Sequence, residues 1–599
     1  MKKTLTLVMA SLVIVSPLAA QQGQFDQARQ LAAAVRTAIT PDRLAVHTRE
    51  IVRHERPSGS PGENAAIDYI VATLRADGVP VEVHAFQAYA SDPVSARVEV
   101  VGSDYAPDAI TMSFSGSTRG LEAPLVDVGR LRDLPNLAVG TGERLILAGD
   151  ARNRRIRNGA DVSGAIALVE GQPRNAPVAV LAELGAVGII FVNPEERLND
   201  LIVTSTWGTP SLRNQHRLPT LPVAQIRKSA GENLRQRLAR GPVRVRLAIE
   251  VSTGWKELRI AVARIPAPDP DAPFVLFGGH IDGWYHGGTD EGASNAAMVE
   301  LARAFHRYRH LLRRGLVVAW WPGHSNGRYA GSTWFADHFF DDLRERGVAY
   351  VNIDGIGQTG AKRFGGATTS SLAALASRVV HDRTGSDINP SRPGRNSDQS
   401  FNGIGLPLLQ INHTRLSEDG GYWWWHTPDD TFDKVDFDIL KADTDLYVDA
   451  LSEMLAAATF PIDLVAEVRA LGDVIAQRAR AGGGRFDLPE AARRQRTLLG
   501  IVEEIQGNDA ASTGPEIDLA RIRILRPLHR VLYSPVGPFH PDPGRNLGLL
   551  PGLAPVAILA SEDPSTDRYR FAYATLVRER NRLLEALDLA IEEAKRLRS

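Results

Sequence analysis

The chain of 599 residues contains no cysteine. That absence excludes disulfides, thiolate zinc sites, iron–sulfur clusters and cysteine nucleophiles together. Any metal must be held by His, Asp and Glu. A charge of one sign is also missing: 69 basic residues stand against 70 acidic ones, which excludes a broadly basic surface and with it a nucleic-acid partner. Long apolar runs are absent beyond the first twenty residues. There, Lys2 and Lys3 precede an apolar stretch from Leu5 to Val15, and Ser16-Pro17-Leu18-Ala19-Ala20 leads into Gln21-Gln22. A positive start, a short apolar core and small residues before a polar segment predict a signal peptide over residues 1–20, too short for a membrane span. The mature chain is therefore expected to be periplasmic or secreted with no membrane contact after cleavage, where lack of thiols is an advantage. A hydrophobic share of 43% with 23% charged residues excludes wholesale disorder.

The length predicts three or four domains, and the pattern changes along the chain. Helical periodicity runs over Phe25 to Ile39, Leu44 to Arg53 and Ala65 to Leu74, with strands such as Val81 to Ala85 and Ala96 to Val101 following. Residues 118–252 are rich in short β-type runs, such as Ala165 to Val169 and Val187 to Val192, with one helix ending at Gly185. They read as a small α/β module inserted into a larger domain formed by 25–117 and 253–460. In that larger domain buried strands (Phe274 to Phe277, Leu316 to Trp320, Val348 to Ile353, Leu408 to Ile411) alternate with amphipathic helices. The expected fold class is α/β, a mixed and mainly parallel sheet sandwiched by helices, with ligands bound beyond the carboxyl ends of its strands. Residues 461–599 are expected to be helical, broken at Gly482-Gly483-Gly484 and closing with a helix from Arg570 to Leu597.

The reactive residue types gather just past those strand ends. Gly278-Gly279-His280-Ile281-Asp282 follows the first strand, and an imidazole two residues from a carboxylate suits a metal ligand with its supporting group. Asp290 lies in a small-residue loop leading into a helix, Asp354 follows the strand ending at Ile353, and His426 follows Trp423-Trp424-Trp425. Taken singly, Asp290 reads as a helix cap, Asp354 as a turn residue and the tryptophans as an apolar lid. Their common position on strand-end loops is what makes a site of them.

The series His280-x-Asp282, Asp290 ten residues before Glu300, Asn352-x-Asp354 and His426-Thr427-x-x-Asp430-Thr431 resembles the co-catalytic zinc aminopeptidases, a group that includes glutamate carboxypeptidase II and the transferrin receptor. Gly59-Ser60-Pro61-Gly62-Glu63 and Ser397-Asp398-x-x-Phe401 support the resemblance. The insert is similar to a protease-associated domain, through Val162 to Gly171, Gly185 to Gly188 and Leu221 to Ala224, and the C-terminal region resembles a dimerisation domain, most closely in Leu528 to Pro535. The resemblance implies a zinc-dependent exopeptidase, an aminopeptidase acting on peptide or aminoacyl substrates, as a homodimer. It implies metal ligands His280, Asp290, Asp354 and His426, with Asp290 bridging two Zn2+ ions and Asp282 supporting His280. Tyr422 and Trp423 to Trp425 are expected to wall the substrate pocket, and Arg395 or Arg415 to meet a substrate carboxylate.

One element of the family pattern is missing. Two adjacent glutamates are expected after the strand from Leu316 to Trp321, one as general base and one as metal ligand, but the chain reads Pro322-Gly323-His324-Ser325-Asn326. Three readings stay open. His324 is a metal ligand beside Asp290 and His426; or His324 is the proton shuttle and one metal is weak or missing; or the chain is a non-catalytic binding protein like the transferrin receptor. Single-zinc glutaminyl cyclase chemistry is the alternative enzyme class. Glu291, beside Asp290, reads as a solvated first-turn helix residue that offers a spare carboxylate.

Overall fold

A computed structural model describes residues 17–134, 156–394, 397–508, 513–540 and 548–598. The expected signal peptide lies largely outside them; a helix begins at Pro17 and runs to Ala38. Among the described residues no helix is long and apolar enough to cross a membrane.

Among the described residues twelve strands form one continuous sheet: β1 Val81–Val100, β2 Ala109–Thr111, β3 Thr118–Arg130, β4 Ile166–Glu170, β5 Gly188–Val192, β6 Val223–Ile226, β7 Arg244–Ile265, β8 Phe274–His280, β9 Gly315–Trp321, β10 Gly347–Asn352, β11 Arg363–Thr368 and β12 Leu408–Thr414. Their order is β11-β12-β10-β8-β9-β7-β3-β4-β5-β6-β2, with β1 paired to β7. The four central strands β12, β10, β8 and β9 run parallel, while β7 and β11 flank them antiparallel. The mixed, mainly parallel sheet expected from the strand–helix alternation is therefore what forms.

Those central strands are buried on both faces, so their side chains alternate between two cores rather than between core and water. Along β8, Val275 and Phe277 enter one core with Phe274 and Leu276 in the other; along β9, Leu316, Val318 and Trp320 oppose Val317, Ala319 and Trp321. Helices Pro41–Ile51, Pro61–Ala76, Ala293–Arg307 and Phe437–Ala456 cover the first face, and Ala330–His338 the second.

The inserted module hangs from a two-stranded spine. β1 and β7 pair over nearly their whole lengths, with one register shift between Pro93 and Ser95. One end of that ladder borders the central sheet; the other carries β3 and the parallel β4, β5 and β6, around a core of its own. β2 pairs with β6, so the module's sheet also draws on residues before Thr118. The C-terminal residues fold as helices Leu464–Ala481, Pro489–Gly507, Pro515–Leu532, Val556–Ser561 and Asp567–Arg598, whose core is continuous with that of the large domain. A buried ion pair between Arg314 and Asp518, at 2.6 Å, joins the two.

Helix Ala293–Arg307 starts at the metal-type loop and is anchored from below by Glu300. That buried carboxylate accepts from Arg43 at 2.9 and 3.0 Å and from Arg303 at 2.7 Å, and lies 3.0 Å from His47 Nε2. Burial alone would raise its pKa, but the hydrogen bonds from His47, Arg303 and Arg43 bring it down to about 2. A folded pKa below the unfolded one contributes stability above the unfolded value, lost as pH falls from about 4.5 toward about 2. Glu300→Gln is expected to cost about 3 kcal/mol at neutral pH, with the gap to wild type closing across that acid range in denaturant titrations.

Candidate metal centre

Three neighbouring parallel strands deliver the site. His280 is the last residue of β8, His324 lies three residues beyond β9, and Asp354 two residues beyond β10. Between β8 and helix Ala293–Arg307 the chain makes a tight turn over Gly288–Gly292. Gly287, at a φ of 54°, opens that turn; a Cβ there would sit 2.1 Å from the Asp290 carbonyl oxygen. Asn295 closes it from behind, donating from its amide nitrogen to the carbonyls of both His280 and Glu291 at 2.7 Å. The turn aims Asp290 into the site, so the helix-cap reading of Asp290 does not hold: its carboxylate lies 3.2 Å from His280 Nε2 through one oxygen and 3.1 Å from His426 Nε2 through the other. Asp430 steadies the same turn, accepting from the amides of Thr289 and Asp290 and from the Thr289 hydroxyl.

His280 Nδ1 faces the main-chain carbonyl of Asp282 at 2.7 Å and donates to it, so Nε2 is the nitrogen turned to the site. Asp282 supports His280 as expected, but through its backbone; its carboxylate instead accepts from the Ser58 hydroxyl and from the amides of His324 and Ser325. Around His280 Nε2, one donor atom each from His280, Asp290, Glu291 and Asp354 lies within 4.8 Å of the others. Glu291 is thus no solvated helix residue: it is fully buried. The outward-facing polar position suggested by its place before a helix is overturned because the turn, not the helix, sets its direction. Among the described residues no donor hydrogen-bonds Glu291 Oε2.

The electrostatics are those of too many anions in a dry place. Burial lowers the His280 pKa, yet Asp290, Asp354 and Asp282 outweigh it and push the imidazole up to about 10. His426 faces Asp290 alone, with Arg174 opposing, and burial prevails to lower its pKa. Burial and the neighbouring Asp354 raise Glu291 well above the carboxylate range, while the two imidazoles hold Asp290 well below it in spite of burial. A buried imidazole nitrogen ringed by carboxylates fits a divalent cation.

His324 stands apart from the four-donor group. Its ring stacks on His280, with centroids 3.7 Å apart and planes 15° off parallel, and Nδ1 lies 2.8 Å from Asp398. Nε2 is left as the ring nitrogen available to the cavity. His426 is held by the insert: Nδ1 faces the Asp200 carbonyl at 2.5 Å, the Asp200 amide donates back to the His426 carbonyl at 3.0 Å, and Asn199 donates to the Trp425 carbonyl at 2.7 Å. Trp425 stacks on His426 with centroids 3.6 Å apart.

A cavity of about 170 Å3 opens over these groups. Asp290 and Asp354 form its acidic side, Arg174 and Leu201 come from the insert, and Arg328 and Tyr329 from the loop after β9. Trp425 lines the cavity, whereas Tyr422 does not: its hydroxyl is bound to Thr289 Oγ1 behind the turn. Arg395 lies outside the described residues. Arg415 is spent on the carbonyls of Thr359, Asp419 and Gly421. Sequence reasoning missed Arg174, Arg328, Asp398 as the partner of His324, and the burial of Glu291. Arg328, Tyr329, Ser397 and His426 all line the cavity with left-handed φ values between 47° and 69°; such strain in non-glycine residues collects at functional sites.

Comparison with known proteins bears on the same residues. Residues 261–450 match peptidase family M28, and residues 121–234 match the PA domain. Residues 261–450 of the larger domain are thus similar to the M28 peptidases. Among curated relatives, the "Probable glutamate carboxypeptidase VP8" of Zea mays is 23% identical over 52% of this chain, which spans 50% of that protein. The "Probable lipoprotein aminopeptidase LpqL" of Mycobacterium tuberculosis is 24% identical over 68% of this chain and 81% of its own length. This chain thus spans about half the length of the maize relative. Among solved structures, BSAP, a zinc aminopeptidase from Bacillus subtilis, shares the fold at a TM-score of 0.52 and 18% identity, over 71% of this chain and 98% of its own. The M28 domain contains His280, Asp290, His324, Asp354 and His426; the PA domain contains Arg174 and the residues that hold His426.

The PA contact on the M28 domain leads to a direct expectation. Asn199→Ala removes the donor to the Trp425 carbonyl and the acceptor of Asn193. It should cost about 1–2 kcal/mol, seen as a lower denaturant midpoint at unchanged slope.

Proposed function

We propose that the protein is a secreted, zinc-dependent exopeptidase that hydrolyses peptide or aminoacyl amide bonds, taking the amino end of a short substrate into the cavity. One observation carries this reading: a buried His280 Nε2 converges with three carboxylates at the carboxyl ends of parallel strands. Imidazole combined with carboxylate oxygen suits zinc. His280, Asp290 and Asp354 would hold one ion, and His426, on the far oxygen of Asp290, supplies an imidazole to a second. Bound there, the metal contributes Lewis acidity toward the scissile carbonyl and toward a water.

The chain's own residues do the remaining work. Asp398 fixes the His324 ring through Nδ1, so Nε2 takes the proton released by the attacking water and returns it to the departing amine. Asp282 keeps that imidazole in place by accepting from the amides of His324 and Ser325. Of the open readings of His324, the proton carrier is the one its hydrogen bonds favour. Arg174 and Arg328 give the cavity a positive wall facing the acidic floor. A carboxylate on the substrate, either the free end of a dipeptide or an acidic side chain, is oriented by that polarity. A homodimer is proposed through the C-terminal helices, where Phe571, Tyr573 and Leu589 are exposed on Asp567–Arg598; the solution mass checks it.

A panel of aminoacyl amides and dipeptides tests the reading. Turnover is expected with zinc, lost on chelation and restored by zinc; a protein that takes up no zinc is a binding module instead. His324→Gln should lower kcat by about 100-fold or more at unchanged zinc content. Loss of zinc in that variant would make His324 a ligand.

A further inference from the structure

The missing glutamate after β9 leaves the M28 domain one carboxylate short in the place where the family pattern expects a ligand. The structure holds a further buried carboxylate at the ends of the neighbouring strands. Glu291 is fully buried beside Asp290, its Oε1 accepts the Gly355 amide at 2.6 Å and lies 3.9 Å from His280 Nε2, and its Oε2 has no partner. A buried carboxylate oxygen left without a donor is costly, and an ion is among the few things that repay it. The nitrogen it approaches faces carboxylates. His280 Nδ1 is committed to the Asp282 carbonyl, and Nε2, 1% exposed at the residue level, lies 3.2 Å from Asp290.

The main chain is built to keep Glu291 there. Asn295 ties the Glu291 carbonyl to that of His280, at the end of β8, and the Gly355 amide, next to Asp354 after β10, holds the carboxylate. Glu291 is therefore fixed against the two strand ends that carry the other ligands, not against β9.

We propose that Glu291 is a direct ligand of the cation held by His280, Asp290 and Asp354. It supplies from the turn the carboxylate that the loop after β9 lacks. The charge moves from the second ion's side of Asp290 to the first. The first site then has one imidazole and three carboxylates, and the second depends on His426 and the shared Asp290, so the first ion binds much more tightly than the second. The inference rests on the metallopeptidase reading above.

Zinc affinity of the full chain, measured by competition with a chromophoric chelator, tests it. Glu291→Gln keeps an oxygen for the Gly355 amide and removes only the anionic charge. The variant is expected to bind the tighter zinc at least about 100-fold more weakly than wild type, while the apo form melts no lower. Affinity within about threefold of wild type overturns the inference while leaving the peptidase reading standing. Wild type that takes up no zinc overturns both. X-ray absorption at the zinc edge of the unaltered protein, loaded with one equivalent, decides the matter without any substitution: one imidazole with three carboxylates supports Glu291 as a ligand, and two carboxylates overturn it.

Discussion

Asp290 is shared between two imidazoles. Each oxygen of this buried carboxylate faces a different histidine, one from a strand end and one from a distant loop, at nearly equal distance. Everything around it serves to keep an anion in a dry place in a single orientation: the left-handed glycine that opens its turn, the Asp430 carboxylate that receives its amide, and the helix behind, anchored on Glu300. Without a compensating charge, two more carboxylates in the same pocket would repel it, and Glu291, pushed well above the carboxylate range by burial and its anionic neighbours, shows how crowded the place is. The architecture is thus one of tolerated repulsion, stable in a single geometry because the surrounding hydrogen bonds leave no other.

Much of this could be read from residue order. β8, β9 and β10 are continuous apolar runs, and the reactive residue immediately after each sits where a parallel sheet exposes its strand ends. His280, Asp354 and the neighbourhood of His324 follow from that rule. The PA insert was legible from its change in pattern, and the C-terminal helices from their period. What stayed hidden depends on direction rather than position. Glu291 precedes a helix and reads as an outward-facing first-turn residue, but the turn at Gly288–Gly292 points it inward, and no periodicity encodes that. Tyr422 sits in an aromatic run beside a ligand and was expected to meet substrate; a hydrogen bond to Thr289 turns it away. Asp398 and His324 are far apart in the chain, and only the fold makes a pair of them.

The backbone tells the same story in another way. Four cavity residues with side chains, Arg328, Tyr329, Ser397 and His426, adopt conformations that most residues avoid. Two belong to the loop that lost the glutamates, and one lies beside Asp398. Strain at such places is retained where packing over-determines it, and here the packing includes stacked rings on both sides: His324 on His280, and Trp425 on His426.

The grip of the PA insert on His426 is made by main-chain atoms of Asp200, in both directions. A contact of that kind is indifferent to the side chain that carries it, and only proline would break it outright, by removing the amide. The Asp200 contact with His426 survives a change of that side chain as long as the loop keeps its path, whereas Asn199 beside it acts through its side chain, on the Trp425 carbonyl. Deleting or shortening the insert would be another matter, since it would leave an imidazole with no fixed tautomer. The His426 side of the site therefore depends on the path of the insert more than on the side chain at Asp200.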